Sequence, residues 1–130
     1  MRQFLLFSNI IFLIACNQQS HGRNTKFLAK KKVNIENGIK TEYYENSKLI
    51  KIQGQVNDDT LWNGRVNAYA KNGSLISSSN YHNGRKNGVH QVFFNNGSLK
   101  YTGEFRNDTM IGKWLFYNEK GVFEKEKIYN

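Results

Sequence analysis

The sequence predicts an all-β protein: a single elongated antiparallel meander sheet built from about four 24-residue β-hairpin repeats. Three observations carry that expectation. A set of glycine and aromatic landmarks returns with one period. Short runs rich in β-branched and aromatic residues are punctuated by Asn-Gly pairs. The 130 residues contain no proline, and beyond the N-terminal apolar run no segment keeps a helical period for long.

The period is read from Gly64, Gly88 and Gly112, which lie 24 residues apart. Five positions after each comes an aromatic (Tyr69, Phe93, Tyr117), and nine after come Gly73, Gly97 and Gly121. Eleven after come Leu75, Leu99 and Phe123, and seventeen after come Tyr81, Phe105 and Tyr129. Chance is a poor explanation for so many landmarks in step. Upstream the series slips: Gly38 leads to Tyr43 and Leu49 in phase, but Val56 arrives one residue late and Gly64 follows Gly38 by 26 residues. Ser47 stands where the internal glycine is expected, so the first copy diverges, as terminal repeats often do.

Taken in order, the copies give four hairpins from about Ile39 to Ile128, or roughly eight strands. Asn-Gly suits tight hairpin turns because both residues tolerate positive φ. In "SLKYTGEFR" the alternation places Leu99, Tyr101, Gly103 and Phe105 on one face and Ser98, Lys100, Thr102, Glu104 and Arg106 on the other. Gly103 and Gly54 interrupt the apolar face and are expected to allow close approach or a bend. The segment "GRKNG" (84–88) invites a reading as an anion-binding glycine loop, but a strand-like "VHQVFF" follows it where such loops need a helix N-terminus. The next copy has "DTMIG" there, without a basic residue, so the stretch is expected to be a bend between strands.

The body resembles the MORN-repeat-variant family, whose units read approximately aromatic-x-Asn-Gly-x-Leu, then Gly-x-aromatic, then Asn-Gly-x-x-x-Gly. The best matches are "FFNNGSLKYTGEFRNDTMIGKW" and "YAKNGSLISSSNYHNGRKNGV", and the resemblance runs over about residues 37–130. Departures fall at Ser47 and at "SSSN" (77–80), where Ser79 replaces the glycine found at Gly103. The resemblance implies a β-repeat protein. It also implies a possible antitoxin role, since bacterial members include YwqK-type antitoxins, many of them lipoproteins.

The N-terminus adds a location. "MRQFLLFSNIIFLIAC" has a basic start and an apolar run too short to span a bilayer. Its end, "LIAC", resembles a lipobox, with Cys16 as the lipid attachment site and the chain's sole cysteine. The expected organisation is a lipoprotein signal peptide over 1–15, a lipidated cysteine and basic flexible tether over 16–32, and the repeat domain over 33–130. Asn17 rather than aspartate after the cysteine points, by resemblance to a sorting rule, to the outer rather than the inner membrane. The net charge of +9 is concentrated in this tether: from Val33 onward thirteen Lys/Arg face ten Asp/Glu. A basic tether beside anionic headgroups adds about 1 kcal/mol per charge, and nucleic acid is not expected as a partner of an exported chain. A lone cysteine excludes a disulfide framework and a cysteine zinc site.

Candidate chemistry is sparse. His82 and His90 flank "GRKNG" near Ser77, Ser78 and Ser79, but no nucleophile elbow accompanies them, and they are expected to be exposed or half-exposed sheet residues. Asp58 and Asp59 lack calcium-loop spacing. No catalytic residue, cofactor or metal is therefore expected. The remaining candidates form an aromatic, partner-binding set: Tyr69, Tyr81, Phe93, Tyr101, Phe105 and Tyr117. The last strand, with Glu124, Lys125, Glu126 and Lys127, is expected to be an edge either protected by charge or used for pairing. The leading expectation is a lipid-anchored envelope module that binds a protein. The alternatives are an envelope antitoxin or immunity protein, and a binder of lipid headgroups or peptidoglycan.

Overall fold

The computed structural model describes residues 32–130. The proposed signal peptide, Cys16 and nearly all of the tether lie outside the described residues. Nine strands follow in chain order: β1 (Val33–Glu36), β2 (Ile39–Tyr43), β3 (Ile50–Val56), β4 (Trp62–Tyr69), β5 (Leu75–His82), β6 (Arg85–Phe93), β7 (Leu99–Arg106), β8 (Thr109–Tyr117) and β9 (Phe123–Tyr129). They form one sheet in which every strand lies beside its sequence neighbours, all pairs antiparallel. The expected meander of hairpin repeats is therefore the observed fold. The strand β1, which carries no repeat landmark, extends it beyond the eight strands expected from the repeats.

The connections are of two kinds, which alternate from β4 onward. Tight two-residue turns join β1–β2, β5–β6 and β7–β8 through Asn37–Gly38, Asn83–Gly84 and Asn107–Asp108, all with positive φ. Both central residues of such a turn must be left-handed for its twist to match that of the strands. Longer loops close β4–β5, β6–β7 and β8–β9, and in each an asparagine side chain (Asn72, Asn96, Asn118) accepts a backbone N–H two residues on, from Ser74, Ser98 and Lys120.

The segment "GRKNG" is corrected by the structure. The bend is confined to Asn83–Gly84, and β6 has already begun at Arg85. Between Ser79 and Tyr81 the pairing of β5 with β6 shifts, His90 facing Ser79 but Lys86 facing Tyr81. Gly88 takes up the extra length with φ +105. The landmark glycines Gly64 and Gly112 are likewise left-handed inside strands (φ +117 and +64). The 24-residue period is thus a period of strand irregularities, which bend the sheet in the same way in each copy.

One row of residues crosses the sheet at its middle and forms the core. Gly54 faces Val66, Val66 faces Ser79, Ser79 faces His90, and His90 faces Gly103, over which the Trp114 ring lies. All six are buried. Small residues stand on β3, β5 and β7, and larger ones on β4, β6 and β8. The Trp114 ring occupies the space a Cβ at Gly103 would take, and a Cβ at Gly54 would lie 2.8 Å from Val66 Cγ2. The gap expected from glycine in an apolar face is therefore a seat for the large neighbour. Only Val66 and Trp114 are buried apolar side chains among the described residues, so the core is one row deep.

Candidate functional site: the two faces of the sheet

Alternation divides the side chains between two faces, and each face has its own chemistry. The first carries the core row and, around it, Tyr81, Tyr101, Phe105, Phe116 and Tyr129. Phe105 and Tyr129 meet the Trp114 ring edge-on, with centroids 5.2 and 6.0 Å away, and Tyr101 lies 5.7 Å from Phe116. Such ring pairs favour edge and offset geometries because the ring face is electron-rich and the edge electron-poor. Lysines exploit the same ring faces. Lys86 lies 4.8 Å from the Phe105 centroid, Lys125 5.5 Å from Phe116, Lys127 4.6 Å from Tyr129, and Lys40 4.9 Å from Trp62. Their alkyl stems cover rings that no second layer covers among the described residues.

His90 belongs to this face and corrects the sequence reading of it. His82 is exposed as expected, but His90 is only 7% exposed. The reason is its place in the core row, equivalent to Val66 and Trp114. Its Nδ1 shares a 2.7 Å hydrogen bond with Ser79 Oγ, itself buried, and the rings of Tyr101, Phe105 and Trp114 pack around it. Burial, and after it the positive charge of Lys86, push the imidazole down from 6.5 to about 4. The ring is therefore neutral at pH 7. A serine beside a neutral histidine has the chemistry of a nucleophile and a base, but here both are buried and the imidazole packs against aromatic rings. The pair satisfies two buried polar groups and replaces the glycine–tryptophan fit of the next copy with a hydrogen bond. The serine that departs from the repeat pattern was the sequence signal for it.

The second face is polar. Strand by strand, Asn34 faces Thr41, Thr41 faces Gln53, Gln53 faces Asn67, Asn67 faces Ser78, Ser78 faces Gln91, and Gln91 faces Thr102. This ladder of seven uncharged amides and hydroxyls runs straight across β1–β7. Gln53 Nε2 donates to Thr41 Oγ1 at 3.0 Å, and Thr102 Oγ1 donates to the His90 carbonyl at 3.1 Å. Asn67 Oδ1 is shielded from solvent without a hydrogen-bond partner. Two residues along the even strands, on the same face, stand Tyr43, Tyr69, Phe93 and Tyr117.

The six aromatics singled out from the sequence are thus not one patch. Tyr81, Tyr101 and Phe105 lie on the aromatic face, and Tyr69, Phe93 and Tyr117 beside the polar ladder. All six are half-buried. The ladder itself escaped sequence reading because its members differ in type and belong to different phases of the repeat. Only strand register aligns them. Asp58 and Asp59 lie in the β3–β4 turn, and no cluster of three or more metal-ligating side chains occurs among the described residues. The chain matches no protein-family model, and no curated protein is significantly similar to it in sequence.

Proposed function

We propose that this chain is a non-enzymatic binding module: a lipoprotein of the bacterial envelope, akin to MORN-variant repeat proteins, that presents its sheet to a protein partner. The observation that carries the proposal is a nine-stranded sheet with no second layer on either face among the described residues. Domains ordinarily bury a sheet face against another element. Among the described residues the aromatic face is covered only by its own side chains, and whereas Lys40 at one end is paired with Glu42, Lys86, Lys125 and Lys127 make its β6–β9 end positive. A partner with an acidic surface fits it, the lysines steering the encounter and the rings beneath supplying apolar contact. The lipid at Cys16 and the basic tether would hold this face near the membrane.

The test uses the full-length lipoprotein, solubilised in detergent and cross-linked in envelope extract. The wild type is expected to retain a specific protein that the Lys125→Glu/Lys127→Glu variant loses and Gln53→Ala, on the other face, keeps. Recovery of the same proteins by the wild type and both variants, or of none, would sink the proposal. Incorporation of labelled palmitate, abolished by Cys16→Ala, tests the anchor separately.

A further inference from the structure

The strand β1 is an outer strand of the sheet, and all four of its residues are exposed. Native sheets blunt such an edge with proline, lysine, a bulge or a covering element. Val33, Asn34 and Ile35 carry no charge, their pairing with β2 is regular, and among the described residues no element lies beyond them. Val33 and Ile35 are 43% and 45% exposed, on the face that carries the core row.

The backbone of β1 fixes how another strand adds to it. Antiparallel pairs alternate between residues that exchange both hydrogen bonds and residues that exchange none. The Asn37–Gly38 turn makes Glu36 and Ile39 a bonded pair, and the Tyr43 N–H donates to the Lys32 carbonyl at 3.1 Å. Lys32, Asn34 and Glu36 therefore turn their backbone groups toward β2, and Val33 and Ile35 turn theirs outward. The edge offers two donors and two acceptors, centred on Asn34.

Side chains select the strand that answers them. Residues 32–36 read Lys-Val-Asn-Ile-Glu, so the charges exchange places when the segment is laid antiparallel against itself. About a two-fold axis through Asn34 and normal to the sheet, Val33 of each copy faces Ile35 of the other, and Lys32 of each faces Glu36 of the other. All the outward backbone groups are then bonded. β-Branched side chains meet on one face of the sheet and opposite charges on the other. Lys32 already lies on that second face, its Nζ 5.0 Å from the Tyr43 centroid. A slide of two residues sets Ile35 against Ile35 or Val33 against Val33, and either slide parts Lys32 from Glu36.

We propose that this edge recognises itself: two copies join β1 to β1 as a symmetric dimer with one continuous sheet, nine strands from each copy. The dimer does not rest on the binding-module reading, and it leaves the rings and lysines of β6–β9 uncovered.

The test uses the full-length protein in detergent, with one new cysteine on β1 and mild oxidation. In the dimer Asn34 faces its own counterpart in a pair that exchanges no hydrogen bonds, where Cβ atoms come closest. Asn34→Cys is therefore expected to link the copies faster than Ile35→Cys. Glu36→Cys, whose counterparts lie far apart, should stay at the background that Cys16 sets in the wild type. Sedimentation over a range of protein concentrations reads the equilibrium. Lys32→Glu sets acid against acid twice and should weaken the dimer about tenfold. Adding Glu36→Lys restores opposite charges and should recover it, a rescue that pairing with a foreign strand would not show. A protein that stays monomeric at every concentration, faster linkage through Ile35 or Glu36 than through Asn34, or a double variant that fails to recover would overturn the proposal.

Discussion

The pair β3–β4 and the pair β7–β8 solve one packing problem with different side chains. In the first, Gly54 faces Val66; in the second, Gly103 lies under Trp114, which is 1% exposed and ringed by Tyr101, Phe105 and Tyr129. Between them, Ser79 and His90 make the same fit polar. What the repeat preserves is a relation, small against large across a strand pair, rather than a residue. The end near β8 gathers the ring contacts around Trp114, the one fully buried large side chain among the described residues, while grooves lined by Gln53 open over the strands near β2. Stability and open surface are thus placed at opposite ends of one array, as a quasi-one-dimensional fold permits.

Substitutions along the row measure that division. Trp114→Ala is expected to have the largest effect, about 3–5 kcal/mol of unfolding free energy, read from urea denaturation. Gly103→Val should approach it, because the new side chain must enter the space of the Trp114 ring. If either cost were no larger than that of Val66→Ala, the asymmetry between the ends would be refuted.

Acidification comes next. Above pH 6.5 His90 is neutral whether the chain is folded or unfolded. As pH falls, the unfolded chain takes a proton first, since the folded imidazole resists protonation down to about 4. Stability should decline through that window and level off below it, by about 3 kcal/mol in all. His90→Phe should remove this step from a plot of unfolding free energy against pH; a step that survives would belong to other groups. Ser79→Ala, which strips His90 Nδ1 of its partner, is expected to cost about 1–3 kcal/mol. The same measurement on Val66→Ala, which deletes two methyl groups, should give about 1.5 kcal/mol. Smallest of all, Lys113→Ala breaks an exposed 3.0 Å ion pair with Glu126 and should change stability by less than about 1 kcal/mol. A larger loss would mean that β8–β9 depends on charge more than on its rings.

The periodicity made the architecture legible before any coordinates, because each hairpin writes its turn glycines and its aromatics at fixed spacing. Three things were not legible. Val33–Glu36 forms a strand through pairing with β2 across the Asn37–Gly38 turn, but its four residues carry no landmark of the repeat. His90 looked like a surface residue because histidine is a common one, and only alignment with Val66 and Trp114 along the sheet reveals a core position. The polar ladder is set by register across bulges at Tyr43, Tyr69 and Phe93, and a shift of one residue at any of them would have dispersed it.

The edge strand β9 has a consequence of symmetry. Lys125 and Lys127 pair with Phe116 and Trp114 and so share the aromatic face, whereas Glu126 and Ile128 pair with Leu115 and Lys113 and share the other. Two copies joined edge to edge about a two-fold axis normal to the sheet keep every side chain on its own face. Lysine then meets lysine on one side, and Glu126 meets its own counterpart, Glu124 or Ile128 on the other, so no register of self-pairing matches opposite charges. A strand from a different molecule, with acids on one face and bases on the other, is under no such prohibition. The alternation of charge along β9 therefore acts as a rule of exclusion, closing the free edge to identical molecules while leaving it available to unlike ones.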